Sequence, residues 1–309
     1  MIDLEKSGIH KAGKRKGEKR KAIGIKDEIS HAKYKDPNDK KKYKNPDDIW
    51  LSRSAFDDFK KCQRCFYLIR VKGFIPPGIP QFTLNGTTDT LLKKEFDLCR
   101  EQQKSHKFLI DNKLEYIVPY KNKGIAKNVY GDPIIPTKSK TKTPYEIMEA
   151  WRKNAHGVQA RFKNTDFVLF GSVDDIWLNT KDNSLILVDY KSQANQNSVS
   201  QETYWNAEYK AGYQRQLDFY VYLLKQQNLK EKISDDVYLL IVNAKGLEDS
   251  FDNKLLFEST LIHTKAKTDY LENDIEEMIN IFKSKEVPVS NKMCINCAYA
   301  RQRSVIDTL

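Results

Sequence analysis

Two carboxylates and a lysine stand at the ends of two apolar, β-branched runs. The runs are Phe170-Gly-Ser-Val-Asp-Asp-Ile-Trp177 and Ser184-Leu-Ile-Leu-Val-Asp-Tyr-Lys-Ser192, with Thr180-Lys-Asp-Asn183 between them as a turn. Paired as a hairpin, they bring Asp174 and Asp189 together and set Lys191 on the same strand face as Asp189. The carboxylates can hold a hard divalent cation, and the ammonium can steady charge on a phosphate or an attacking water. Metal-assisted phosphodiester hydrolysis needs all three. Asp175 is the rival to Asp174 for the first carboxylate.

Four of the five cysteines form a second constellation. Cys62-x-x-Cys65 and Cys294-x-x-Cys297 lie near opposite ends of the region that reads as folded. Such pairs suit a tetrahedral thiolate site, for zinc or an iron–sulfur cluster. Either would clasp the two ends together. Cys99 lies on an apolar stripe and reads as core.

The elements that position these residues follow from periodicity. Ser54 and Asp57 fit a capping pair, and Phe56, Phe59, Phe66 and Ile69 then recur at helical spacing along one helix that carries Cys62 and Cys65. Pro76-Pro77-Gly78 ends that segment. A second helix, about Thr87 to Gln103, carries Leu92, Phe96 and Cys99 on one face, with Asp89 on the same stripe. A carboxylate placed there needs a partner. Residues 114–118 suggest a strand, and Thr143-Pro-Tyr-Glu146 opens a helix through Trp151. Beyond the hairpin, a helix from about Thr203 to Gln227 presents Tyr213, Gln216 and Tyr220 together. Residues 237–243 and 255–263 alternate as strands. Tyr270 to Lys283 is amphipathic, with Leu271, Ile275, Met278 and Phe282 inward. This order predicts a mixed α/β core whose central hairpin is covered by helices.

Charge is unevenly spread. The 309 residues carry a formal +11, and residues 1–45 hold 15 Lys or Arg against 7 Asp or Glu. Most of the surplus thus sits in a segment poor in large apolar side chains. We expect a disordered basic tail over 1–48 and a folded domain over 49–309. A basic balance points to a polyanionic partner. No run of 18 apolar residues occurs, so a cytoplasmic protein with no membrane partner is expected, where five cysteines argue against a disulfide framework. No GxxxxGK[ST] loop occurs either. Any helicase coupling therefore requires a separate partner.

Gly171-x-x-Asp174, Asp189-Tyr-Lys191 and Gln216-x-x-x-Tyr220 together resemble the PD-(D/E)XK nuclease superfamily, in particular its RecB-like branch with the CRISPR adaptation nucleases. The resemblance runs from roughly Leu51 to Arg303. It implies a restriction-endonuclease-like mixed sheet flanked by helices, with the N- and C-terminal segments joined at a four-cysteine metal site. It also implies a Mg2+- or Mn2+-dependent deoxyribonuclease acting on single-stranded DNA or duplex ends in repair, recombination or defence. On this reading Asp174 and Asp189 are metal ligands, joined by the Tyr190 carbonyl, and Lys191 is the catalytic lysine. Gln216 and Tyr220 match a QxxxY motif that organises the site and contacts the strand. Asp89 stands where the family usually places a histidine ligand, and Glu95 is the weaker candidate there. In this branch a 4Fe-4S cluster joins one N-terminal cysteine to three C-terminal ones, whereas this chain offers two and two, so zinc stays open. The rivals are an RNA-directed nuclease, a catalytically weak nucleic-acid-binding module and a structural zinc protein. Tyr213, Tyr220 and Trp205 are candidate base-stacking aromatics.

Overall fold

The computed structural model describes residues 47–74, 82–136, 143–246, 250 and 252–307. The expected basic tail lies outside the described residues except for Asp47 and Asp48, as does the Pro76-Pro77-Gly78 stop. Asp48 is buried, and its carboxylate accepts two hydrogen bonds from Arg161 at 2.8 Å.

Strand β1 (Ile49–Ser52) runs directly into helix α1 (Arg53–Lys61). The cap of α1 is Ser52, whose Oγ accepts the Ala55 N–H at 3.2 Å, so the Ser54–Asp57 pair lies inside the helix. Cys62 is extended (φ −164°, ψ 111°) and separates α1 from α2 (Gln63–Arg70). The helix expected across both cysteines is therefore two helices, with Cys62 at the joint. Phe56, Phe59 and Phe66 are all buried, as their spacing requires.

Helix α3 (Thr83–Gln102) begins one turn before its expected start and is followed by α4 (Lys107–Asp111), β2 (Ile117–Pro119) and α5 (Ile147–Trp151). Then come β3 (Val158–Arg161), β4 (Phe167–Gly171), β5 (Asp175–Asn179) and β6 (Ser184–Ala194). The expected helix at 203–227 is instead two 3-10 turns, Tyr204–Asn206 and Glu208–Lys210, that lead into α6 (Ala211–Lys225). The chain continues through β7 (Lys232–Ile233), β8 (Asp236–Ala244), β9 (Phe257–Lys265), α7 (Leu271–Lys283) and α8 (Ile295–Asp307).

Two sheets result. The smaller has the order β1-β4-β3, and the larger β2-β5-β6-β8-β9 with β7 also on β6. β6 pairs antiparallel with β5 and parallel with β8, so the fold is the mixed α/β class expected. The first run of the predicted hairpin is divided between the sheets. Phe170 and Gly171 end β4, and β5 starts at Asp175.

β6 is buried on both sides. Leu185 and Leu187 enter the larger core, where they join Leu217 and Phe219 of α6. Ile186, Val188 and Tyr190 enter the smaller core with Phe96 of α3, Leu109 of α4 and Trp177 of β5. Burial on both faces explains why this strand reads as a continuous apolar run and not as an alternating one. α6 is equally enclosed, with every residue from Leu217 to Leu224 buried. A helix packed all round can be apolar all round.

Gly171 lets this packing close. A Cβ there would stand 2.5 Å from Tyr220 Cε1. Because Tyr220 is only 4% exposed, its ring has little room to retreat. Gly171→Ala should therefore cost about 1–3 kcal/mol through overpacking, seen as a lower urea midpoint at unchanged m-value.

Candidate active site and four-cysteine centre

The β5–β6 register pairs Asp175 with Val188. One step further along, the same register sets Asp174 opposite Asp189. Side chains alternate across a strand, so Asp189 and Lys191 continue the face of Leu185 and Leu187, toward α6. Asp174 precedes β5 on the parity of Ile176, which also faces that core. Asp175 and Tyr190 have the opposite parity.

Asp175 is fully buried on the far side, where it accepts from Arg100 and from the Tyr190 hydroxyl (2.7 Å) and faces Arg152 at 2.9 Å. Burial pushes its pKa up, but Arg152, Arg100 and the Tyr190 hydrogen bond together hold it below the usual carboxylate range. Asp175 is thus enclosed by cations and a hydroxyl on the face opposite Asp189. Arg152 also donates to the Asp174 carbonyl (2.9 Å) and to Asp97 (2.7 Å), so it fixes the backbone that aims Asp174.

On the near side, Asp189 Oδ1 accepts from Gln216 Nε2 at 2.7 Å, across the β6–α6 contact. Lys191 Nζ forms an ion pair with the buried Oδ2, so each carboxylate oxygen of Asp189 has a partner. Burial raises the Asp189 pKa to about 6, with Lys191 opposing and Asp174 adding to the rise. For Lys191, burial favours the neutral form, but Asp189 and Asp174 outweigh it and raise its pKa. Asp174 Oδ2 accepts the Tyr190 N–H at 3.0 Å, so the main chain of Tyr190 borders the pair.

Asp89 joins through a residue that the sequence reading missed. Lys93, one turn further along α3, donates at 2.9 Å to both Asp89 and Asp174. It is the partner a carboxylate on that stripe needs. Burial works against its charge, but Asp174 and Asp89 raise its pKa. Glu95 pairs with His106 at 2.9 Å and takes no part.

Tyr220 packs on Gly171 with its hydroxyl toward Arg53, and burial raises its pKa. Being buried, it is not a stacking platform. Trp205 is partly buried against the core, as is Tyr213, whose ring centroid lies 5.1 Å from Lys191 Nζ. Tyr209 is exposed, 68% accessible and edge-on to Tyr213. Beside it, Lys210 is buried over the Tyr204 ring at 3.4 Å, and burial lowers its pKa. Both lie in the 3-10 turns, where helical periodicity cannot report them.

The cysteine pairs meet as expected. All four Sγ atoms lie within 4.8 Å of one another, and among the described residues this is the one group of three or more ligand side chains so gathered. Cys99 stands apart. Sulfur donors at this spacing fit a metal and are too far apart for disulfides, which need about 2.05 Å.

A mixed sheet with two carboxylates and a lysine at one strand end, backed by a helix glutamine, is an arrangement of the nuclease class. The family model for the PD-(D/E)XK nuclease superfamily matches residues 50–302, and the chain belongs to that superfamily. A crystal structure of a candidate exonuclease from Eubacterium rectale shares 14% identity, with 89% of this chain and 94% of that one covered, at a TM-score of 0.36. The assignment rests on the family match and not on that superposition. No curated protein matches the chain significantly. Among the described residues no helix is long and apolar enough to cross a membrane.

Asp175→Asn leaves Arg100 and Arg152 without their buried anion and should cost about 3–5 kcal/mol at neutral pH. The Asp175 pKa is depressed in the fold, so its contribution is present above the unfolded value of about 4 and lost as pH falls through the folded one. Urea unfolding should therefore show the gap from wild type shrinking in acid.

Proposed function

We propose that this chain is a Mg2+- or Mn2+-dependent deoxyribonuclease of the RecB-like branch that hydrolyses phosphodiester bonds in single-stranded DNA or at duplex ends. The observation that carries the reading is the buried Asp189 carboxylate, ion-paired with Lys191 and set beside Asp174 where the Tyr190 main chain borders both. Asp174, Asp189 and the Tyr190 main chain would hold the cation, with Asp89 in the histidine position of the family. Such an ion supplies Lewis acidity and lowers the pKa of a bound water.

The protein's own groups do the remaining work. Gln216 holds Asp189 in one rotamer through its 2.7 Å hydrogen bond. Lys191, charged at neutral pH and aimed by Asp189, stabilises negative charge on the phosphate. Tyr220 wedges α6 against Gly171 and so sets the height of Gln216 over the strand. Tyr209 offers an exposed ring face to a base. Residues 49–309 form the nuclease domain in this proposal, and the basic residues of 1–48 add phosphate neutralisation. The setting is DNA repair, recombination or defence, in the cytoplasm, with any helicase supplied by a partner.

One observation favours a second reading. Lys93 already bridges Asp89 and Asp174, which suits a catalytically weak module that binds nucleic acid without cutting it. Labelled single- and double-stranded DNA and RNA, incubated with Mg2+, Mn2+ or EDTA, separate the two. Metal-dependent cleavage of DNA, reduced about 10²- to 10³-fold by Lys191→Ala, is the expected result. Binding with no cleavage in either metal would establish the second reading, and preferential cleavage of RNA would overturn the substrate.

Strand binding has its own test, in EDTA and so independent of turnover. Tyr209→Ala should weaken single-stranded DNA by about 1–3 kcal/mol.

A further inference from the structure

We infer that the four thiolates hold one zinc ion and not an iron–sulfur cluster. The separations decide between them. Cys62 and Cys297 lie 3.8 Å apart sulfur to sulfur, and Cys65 lies 3.5 Å from both Cys294 and Cys297. One ion bonded to four sulfurs at about 2.3 Å sets them at the corners of a tetrahedron with edges of about 3.8 Å. In a four-iron cluster each thiolate extends outward from its own iron. Opening the tetrahedron in that way spreads the sulfurs to roughly 6 Å. The observed spacing matches the single ion and leaves no room for a cube.

The local architecture agrees. Cys62 is the residue just before α2, and Cys294 the residue just before α8. Cys65 and Cys297 sit in the first turns of those helices. Each Cys-x-x-Cys is thus one knuckle leading into a helix, and the two knuckles face each other. Backbone groups of Cys65 and Asn291 hydrogen-bond the Cys62 sulfur. Two equivalent knuckles supply two thiolates each, which is the donor set of a closed structural zinc site.

The ion also has a mechanical task. From Asn291 to Ile306 the one buried residue is Cys297. An α-helix so exposed gains little from apolar packing, so its attachment to the body depends on the ion that joins Cys294 and Cys297 to Cys62 and Cys65. This assignment stands or falls separately from the nuclease reading, since it concerns neither Asp189 nor Lys191.

The test needs no variant. Full-length protein is purified anaerobically without chelator from cells supplied with both metals, and zinc, iron and acid-labile sulfide are counted per chain. One zinc, no sulfide and a colourless solution is the expected result. A brown protein with iron and sulfide in equal amounts overturns the inference, as does one iron without sulfide or a chain with no bound metal. As a check on the donors, Co2+ added to metal-depleted protein should give the intense visible bands of a tetrahedral tetrathiolate and lose them when Zn2+ is added. Cys294→Ser should abolish those bands, whereas Cys99→Ser should keep them.

Discussion

The site depends on strand parity in a hairpin that is buried on both faces. In a half-exposed hairpin, one face is inside and a register slip is corrected by moving apolar groups back from water. Here both faces of β6 are inside, so apolarity alone does not select the register. Charged residues do so. Asp189 and Lys191 have partners only on the α6 side, and Asp175 has its cations only on the α3 and α5 side. A slip of one residue would bury each charge against the wrong neighbours, at several kcal/mol per ion. The candidate catalytic constellation and the Asp175 ion cluster thus specify each other's orientation.

Arg152 links the two sides. It meets Asp175 and Asp97 with its guanidinium and holds the Asp174 carbonyl through Nε. Asp174 lies between two sheets, at the point where the chain leaves β4 and enters β5, and has no ladder of its own to fix it. A buried guanidinium with several donors in a rigid fork suits that task, since it positions a backbone group while compensating a carboxylate. Gly171 and Tyr220 perform the equivalent task from the α6 side. The first carboxylate is held by tertiary contacts, the second by a strand.

That difference explains what could be read in the sequence. Asp189 and Lys191 are two apart on one strand, and Gln216 and Tyr220 four apart on one helix, so local periodicity carries both pairs. The cysteine pairs are legible for the same reason. Arg100 and Arg152 were missed because their partners lie 75 and 22 residues away along the chain. A lone arginine carries no local sign of such a bond. Lys93 was within reach: a lysine four residues after Asp89 on a helix is the expected ion-pair partner. The long helix drawn through Cys62 failed because its apolar spacing continues across the joint, while the thiolate's position requires extended backbone there. Likewise, the turns at 204–210 carry aromatics at spacings that resemble a helix.

Charge balance gives the site its remaining property. Asp175 and Asp97 are matched in number by Arg100 and Arg152. Asp89, Asp174 and Asp189, by contrast, meet only Lys93 and Lys191 directly, so three carboxylates face two ammonium groups. A buried excess of negative charge must find a cation or take up a proton. Burial, with a smaller contribution from Asp174 and against the pull of Lys191, raises the Asp189 pKa to about 6. A divalent ion would supply the cation, and it would have to share Asp174 with Lys93. A cation at Asp189 would likewise share its carboxylate with Lys191 and Gln216. Asp89 and Asp174 share one ammonium, that of Lys93.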